Sequence, residues 1–159
     1  MVTIGINNGE VNETETREII TDSLKNAGWQ LYKNMRYEYK ITDGRVHIDE
    51  DNEAVREKAL YADYLLFAPN GKPLAVVEAK RKGQLEGTGI QQAINYATLL
   101  DAPFAFSSNG KSFEFYCLAT AKEESYDMDS FPTQKTLWER YSGLNQRFHI
   151  YLDCVYPYR

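Results

Sequence analysis

The segment ADYLLFAPNGKPLAVVEAKRK, residues 62–82, decides the fold. Its two apolar runs, YLLFA and PLAVV, are typical of buried β-strands, and the Asn-Gly pair between them predicts a hairpin turn. Charged residues nonetheless stand at the open end of this hairpin. Asp63 begins the first strand, and Glu78 and Lys80 end the second. Charges in so apolar a segment require a physical explanation.

A two-residue turn centred on Asn70 and Gly71 predicts which residues of the two strands face each other. Side chains alternate along a strand, so Glu78 and Lys80 share a face, and Asp63 lies on that same face. Directly opposed side chains have Cβ atoms about 4.5–5.5 Å apart. The expected opposed pairs are Phe67–Leu74, Leu65–Val76 and Asp63–Glu78.

Two opposed carboxylates repel each other, and an unpaired charge among apolar neighbours is costly. A divalent cation between Asp63 and Glu78 would offset both costs, and carboxylate oxygens suit Mg²⁺ or Mn²⁺. Lys80 would hold and polarise a nearby water. That set is the minimum for metal-assisted attack of water on a phosphodiester. The structural alternative is a pair of ordinary strand-end acids, with Glu78 bound simply to Lys80.

The repulsion also has a consequence for the cation-free protein. The substitution Asp63→Asn would relieve it, so we expect that variant to be more stable without metal. A loss of stability would indicate a structural partner of Asp63.

A first helix is expected after Asn12, which is a good N-cap with Glu15 as its capping-box partner. Gly28 is expected to end this helix, and Trp29 to pack back on it. Its apolar face is predicted to consist of Ile19, Ile20, Leu24 and Ala27.

Further elements follow the hairpin. The run GIQQAINYATLLD predicts an amphipathic helix, because its apolar residues recur at helical spacing. PFAFSS and SFEFYCLA are typical strands with an Asn-Gly turn between them, and TQKTLWERY predicts a short helix. Residues 33–58 indicate a loop or a hairpin. This order predicts a mixed α/β domain, with a central mixed sheet flanked by helices.

Composition narrows the functional classes. A chain of 159 residues suits one domain. A net charge of −5 argues against a protein that coats nucleic acid, and Lys80-Arg81-Lys82 is the one tight basic cluster. We find neither a secretory signal nor an apolar run long enough to cross a bilayer, so no membrane partner is expected. Cys117 and Cys154 are expected to be reduced thiols of a cytoplasmic protein.

The pattern Asp63 … Glu78-Ala79-Lys80 resembles the PD-(D/E)xK nuclease signature, with Ala62 where that signature has proline. Gln92 and Tyr96 match the QxxxY motif that follows it. Three further segments support the resemblance and occur in the expected order. They are NETETR (12–17) with AGW (27–29), PFAF with the next Asn-Gly turn, and FPTQKTLWERY. Together, residues 12–141 resemble the nuclease domain in the restriction (R) subunit of type I restriction–modification enzymes.

The resemblance implies a restriction-endonuclease-like core in residues 1–131. Residues 132–159 would be a C-terminal extension leading toward a motor region that this chain lacks. Asp63 and Glu78 would bind Mg²⁺, for which Mn²⁺ can substitute, and Glu13 would be a further acid at the metal. Lys80 would orient and help activate the attacking water. For Glu13, the alternative is a helix-capping charge.

The resemblance also implies DNA contacts. Gln92 and Tyr96 share a helix face and would contact DNA phosphate or position the catalytic residues. Arg81 and Lys82 would be phosphate contacts. The alternatives are a tyrosine packed on the sheet beside an exposed glutamine, and a solvated basic run.

The implied function is a Mg²⁺-dependent endonuclease that cuts double-stranded DNA after translocation. The implied partners are the modification and specificity subunits and the motor region of the same subunit. The chain lacks a GxxxxGK[ST] loop, so ATP is expected only in the intact enzyme. We expect a domain of a longer subunit, rather than a truncated gene product or a free-standing relative.

Three other functions stay open. The first is a free-standing PD-(D/E)xK nuclease of a repair or mobile-element system, which would be active without partners. The second is a catalytically silent module for DNA docking or protein interaction. The third is a generic α/β binding domain whose motifs are coincidental.

Overall fold

The computed structural model describes residues 13–44, 46–80 and 87–155. One six-stranded sheet has the order β1-β4-β5-β6-β7-β8, and β2 and β3 form a separate ribbon. The strands are β1 Met35–Thr42, β2 Val46–Ile48, β3 Ala54–Arg56, β4 Leu60–Phe67, β5 Pro73–Ala79, β6 Phe104–Ser108, β7 Ser112–Cys117 and β8 Lys122–Asp127. The helices are α1 Glu13–Asn26, α2 Thr88–Leu100 and α3 Gln134–Val155.

The sheet is mixed, as expected from the order of elements. β5 and β6 pair in parallel, and the other neighbouring strands of this sheet pair antiparallel. A parallel pair needs a crossover connection, and α2 provides it. Because α2 lies between β5 and β6 in the chain, its first turn comes close to the end of β5, where Glu78 and Lys80 lie.

Each face of the sheet has its own apolar cluster. On one face, α2 packs Ala93 and Ala97 against Val76 and Ala105. The other face is larger and aromatic, and it receives α1 and the first turns of α3. Buried side chains on that face include Ile20, Leu24, Trp29, Phe104, Phe106, Phe113, Phe115, Phe131 and Leu137. The boundary placed at residue 132 stays a prediction, but Leu137 of α3 shares the core of the strands.

The predicted end of α1 is confirmed. Gly28 adopts a φ of +92°, a left-handed conformation that glycine accepts readily, and the amide of Trp29 donates to Leu24 O at 3.0 Å. Trp29 is fully buried, and its Nε1 donates to Pro132 O at 3.0 Å. Of the predicted apolar face, Ile20 and Leu24 are fully buried, whereas Ile19 is exposed. Asn12, the predicted N-cap, lies outside the described residues.

The β4–β5 turn is longer than predicted. Gly71 N donates to Ala68 O and Ala68 N to Lys72 O, so three residues form the loop and Phe67 pairs with Pro73 rather than with Leu74. A β-bulge then inserts one extra residue into β5 and restores the predicted register. The pairs beyond the bulge are Leu66–Ala75, Leu65–Val76 and Tyr64–Val77.

Three elements differ from expectation. The segment 33–58 contains β1, a full strand of the main sheet, besides the β2–β3 ribbon. β8 was missed because its KEESYD sequence is polar, which is common in an edge strand. α3 was expected to be short, yet it continues to Val155. In the described part of the chain, no helix is long and apolar enough to cross a membrane.

The turn geometry predicts the effect of an alanine substitution. Gly71 has a φ of +81°, so Gly71→Ala should lower the free energy of unfolding by about 1 kcal/mol. Gly143→Ala is the matched control, because Gly143 lies inside α3 with open space at its Cβ position and alanine favours a helix. Urea unfolding measures both variants. Equal effects would contradict the assigned turn.

Candidate active site

The carboxylates of Asp63 and Glu78 meet where the β4–β5 ladder ends. The last backbone pair of this ladder is Tyr64–Val77. Beyond it, Asp63 N donates to Glu78 Oε1 at 3.0 Å, and Ala79 N donates to Asp63 Oδ2 at 2.9 Å. Each side chain therefore accepts a backbone N–H from the opposite strand. These reciprocal bonds hold the two carboxylates together, as the register of the hairpin predicted.

A change of sheet face at Asp63 helps to aim its side chain. Residues two apart on a regular strand share a face. Here, Tyr37 and Tyr64 pack on the α1 side, whereas Tyr39 and Ala62 pack on the α2 side. Each strand therefore changes face at the residue in between, which is Glu38 in β1 and Asp63 in β4. Glu38 has a φ of +47°. Such a conformation is uncommon for a residue with a side chain and costs on the order of 1–3 kcal/mol.

Glu78 is held in its neutral form. The residue is only 4% exposed. Burial first, and then the negative charge of Asp63, raise the pKa of Glu78 to about 9. At neutral pH, Glu78 is therefore protonated, which relieves the repulsion expected from the sequence.

Arg17 of α1 supplies the positive charge at this site. Its Nη2 lies 2.6 Å from Asp63 Oδ1, and its Nη1 lies 3.1 Å from Glu38 Oε1. Burial lowers the pKa of Arg17, but the charge of Asp63 and the hydrogen bond to Glu38 outweigh burial and raise it. Asp63 thus has the structural partner that the sequence did not reveal, so the expected gain in stability from Asp63→Asn loses its basis.

The pair fits a hard divalent cation with few protein ligands. Mg²⁺ commonly keeps several waters and takes one or two carboxylates, which Asp63 and Glu78 provide. Glu13 is the predicted third acid, and its Oε1 lies 3.8 Å from Arg17 Nη2. Among the described residues, no three His, Cys, Asp or Glu side chains form a group that could hold a metal. A direct metal contact by Glu13 stays a prediction.

Lys80 follows β5 directly and lies beside the start of α2. Its amide donates to Ser108 O at 2.7 Å, which extends the parallel pairing of β5 with β6 by one step. A Cβ at Gly89 would collide with Ser107 Oγ and would lie 3.7 Å from Lys80 Cβ. The first turn of α2 can approach the sheet this closely because position 89 has no side chain.

Comparison with known proteins indicates the family of this chain. Residues 46–124 match the sequence profile of the family described as type I restriction enzyme R protein N terminus. The chain is 38% identical over 126 residues to the type I restriction enzyme EcoAI endonuclease subunit of Escherichia coli, which covers 77% of this chain and 15% of that subunit. A solved fragment of a protein assigned as an HsdR subunit of a type I restriction enzyme, from Vibrio vulnificus YJ016, is 35% identical, with a TM-score of 0.70. That match covers 84% of this chain and 26% of the other.

The chain belongs to the family of type I restriction enzyme R protein N-terminal domains. Its six-stranded mixed sheet flanked by helices is the restriction-endonuclease-like fold. Both the family and the fold agree with the resemblance found in the sequence. The chain spans about 15% of the length of the curated relative that it matches.

Gln92 and Tyr96 of this R-protein N-terminal domain bond to each other. Gln92 Nε2 donates to Tyr96 Oη at 2.8 Å, and both residues are half-buried on α2. Tyr96 packs against the apolar cluster under α2. In residues 13–44, 46–80 and 87–144, no hydrogen bond joins Gln92 to Asp63, Glu78 or Lys80. Their role in contacting DNA stays a prediction.

Two predicted DNA contacts of the R-protein N-terminal domain, Arg81 and Lys82, lie outside the described residues. Sequence reasoning missed two other residues, Arg17 and Glu38. Arg17 stands four residues after Glu13, a spacing typical of ion pairs on a helix, and this signal could have drawn attention to it. Glu38 left no comparable signal, because its backbone conformation depends on the pairing of β1 with β4.

The raised pKa of Glu78 predicts a pH dependence of stability. Its pKa is higher in the folded chain than its ordinary value of 4.5, so its stabilising contribution is complete below that pH and is lost as the pH rises toward about 9. The loss is at most about 1.4 kcal/mol per pH unit. Glu78→Gln keeps an acceptor for Asp63 N but cannot ionise, so this variant should lack that decline.

Thermal melting of the metal-free chain between pH 6 and pH 8.5 measures the difference. Glu114→Gln, at an exposed position on β7, is the matched control and should follow the parent chain. Equal pH dependence in the parent chain and Glu78→Gln would show that Glu78 is not protonated at neutral pH.

Proposed function

We propose that this chain is the DNA-cleaving domain of a type I restriction enzyme R subunit. It hydrolyses phosphodiester bonds of double-stranded DNA with Mg²⁺, or Mn²⁺ in its place. In the intact enzyme, the motor region of the same subunit uses ATP to translocate the DNA, and the modification and specificity subunits complete the complex. The match to a part of a type I restriction enzyme R protein supports these partners.

The observation that carries the proposal is the joined pair of Asp63 and Glu78. Two acids at the end of an apolar hairpin, bonded to each other's strand and followed by Lys80, have no evident value for stability alone. Burying them together costs free energy unless a charge compensates. A site that binds a cation during function explains why both acids are present.

Asp63, Glu78 and Lys80 have different roles in the proposed reaction. Asp63 and Glu78 would hold Mg²⁺, which would supply Lewis-acid chemistry and make water easier to deprotonate. Glu78 must release its proton before it can act as a ligand. Lys80 would orient the attacking water through its ammonium group. The attacking water gives up a proton to solvent as its oxygen bonds to phosphorus, one P–O ester bond breaks, and the departing oxygen gains a proton from solvent.

The net charge of −5 is compatible with this role. An acidic domain binds DNA weakly by itself, because affinity for the phosphate backbone comes mainly from basic residues. In a multi-subunit enzyme, other domains would deliver the DNA. Gln92, Tyr96, Arg81 and Lys82 would then position the phosphate backbone locally.

A second candidate is a silent docking module. The Arg17–Asp63 ion pair favours it, because a guanidinium that neutralises Asp63 can replace a cation structurally. The presence of Glu78 and Lys80 beside that pair favours the nuclease. Cleavage by the full-length R subunit separates the two candidates.

The test is Asp63→Asn in the full-length R subunit, assembled with its modification and specificity subunits. Loss of the carboxylate should reduce DNA cleavage by about 100-fold or more while ATP hydrolysis is retained. Asp101→Asn is the matched control, because Asp101 caps the end of α2 in a left-handed conformation that asparagine also accepts.

Cleavage that survives Asp63→Asn at the level of the control would refute the metal assignment and support the silent module. A joint loss of cleavage and ATP hydrolysis would indicate a disrupted complex. The melting temperature of the isolated variant chain then shows whether misfolding is the reason.

A further inference from the structure

Arg17 is placed at the centre of three carboxylates. It lies 2.6 Å from Asp63, 3.1 Å from Glu38 and 3.8 Å from Glu13, measured between nitrogen and oxygen. The side chain of Asp63 is 10% exposed and that of Arg17 is 31% exposed, so the ion pair is partly shielded from water. The guanidinium therefore interacts with the same carboxylate that the proposed function assigns to the divalent cation.

Two features show that this ion pair is not a fully satisfied structural contact. Arg17 Nε is buried and has no hydrogen-bond partner in the described part of the chain. Buried donors are normally paired, and an unpaired one in a folded protein is often linked to function. In addition, Glu38 reaches Arg17 from a left-handed backbone conformation, and strain of this kind is concentrated at functional sites.

A guanidinium and a divalent cation at one carboxylate repel each other. A cation at Asp63 must therefore either displace Arg17 or bind against its charge, and both effects weaken cation binding. We propose that Arg17 is an internal counter-ion of the active site, which neutralises Asp63 in the cation-free protein and gives up this contact when the divalent cation binds. This inference rests on the proposed function and assigns Arg17 a role in setting the affinity of the site for its cation.

Glu38 and Glu13 give the displaced guanidinium an alternative. Arg17 Nη1 already bonds Glu38, and Glu13 stands one helical turn before Arg17 on α1. Release from Asp63 therefore leaves the guanidinium beside two carboxylates rather than unpaired, which lowers the cost of the exchange. Glu13 would then act on the site through Arg17, in addition to any direct contact with the cation.

The test compares Mn²⁺ binding by the 159-residue chain and its Arg17→Met variant, by calorimetry at neutral pH. Removing the competing charge should tighten Mn²⁺ binding by about 5- to 10-fold. The variant should also be less stable than the parent chain without Mn²⁺, and should gain more in melting temperature when Mn²⁺ is added, because tighter binding stabilises more.

The matched control is Arg36→Met. Arg36 is a half-buried arginine of β1 whose guanidinium lies over the rings of Tyr32 and Phe67, at 5.1 and 5.7 Å from their centroids. This substitution removes the same charge without touching Asp63, so Mn²⁺ affinity should stay within about twofold of the parent chain. If Arg17→Met does not fold, Arg17→Gln takes its place, because glutamine removes the charge but keeps a hydrogen-bond donor.

The outcomes separate this inference from the proposed function. If the parent chain binds Mn²⁺ and the Arg17 variant binds equally or more weakly, Arg17 only supports the position of Asp63 and the counter-ion role is wrong. If Arg36→Met tightens Mn²⁺ binding as much as Arg17→Met does, the effect comes from net charge alone. That result would also overturn the counter-ion role. If the parent chain binds no Mn²⁺ and the Arg17 variant does, the counter-ion role is supported in its strongest form. If neither binds Mn²⁺, even with a short DNA duplex added, the cation site itself fails, and the proposed function fails with it.

Discussion

The mutual repulsion of the Asp63 and Glu78 carboxylates is the constraint on which the rest of the site depends. The register of β4 and β5 places the two acids opposite each other, where little solvent reaches them. The cation-free chain offsets this repulsion in two ways: Glu78 is protonated and Arg17 binds Asp63. Both responses are reversible. The same pair is therefore stable without a cation, and under the proposed function it would become available to one.

The surrounding elements hold this arrangement in place. α1 carries Arg17, and its end is fixed by Trp29, which bonds the segment before α3. β1 contributes Glu38 at the point where both β1 and β4 change face. α2 begins beside Lys80, where Gly89 permits a close approach to the sheet. Charge compensation comes from the α1 side, while Lys80 lies beside α2.

The sequence predicted the parts of the fold that depend on local patterns. The apolar strands, the amphipathic α2 and the glycine end of α1 all follow from short-range preferences. The register at Asp63 was correct although the assumed turn was wrong, because the longer turn and the β-bulge shift the pairing in opposite directions. β8 and the length of α3 lack a strong apolar pattern. The roles of Arg17 and Glu38 depend on contacts between distant segments, 46 residues apart for Arg17 and Asp63. Local patterns do not carry such information.

Calorimetric titration of Mn²⁺ into the parent chain and Glu78→Gln, without and with a short DNA duplex, would show whether Asp63 and Glu78 bind a divalent cation. Glutamine keeps the acceptor for Asp63 N but removes one of the two proposed metal ligands. We expect saturable Mn²⁺ binding by the parent chain, at the latest when DNA phosphate is present, and loss of this binding in the variant. Equal Mn²⁺ binding by both chains, or no binding by the parent chain even with DNA, would contradict the assignment of Asp63 and Glu78 as a cation site.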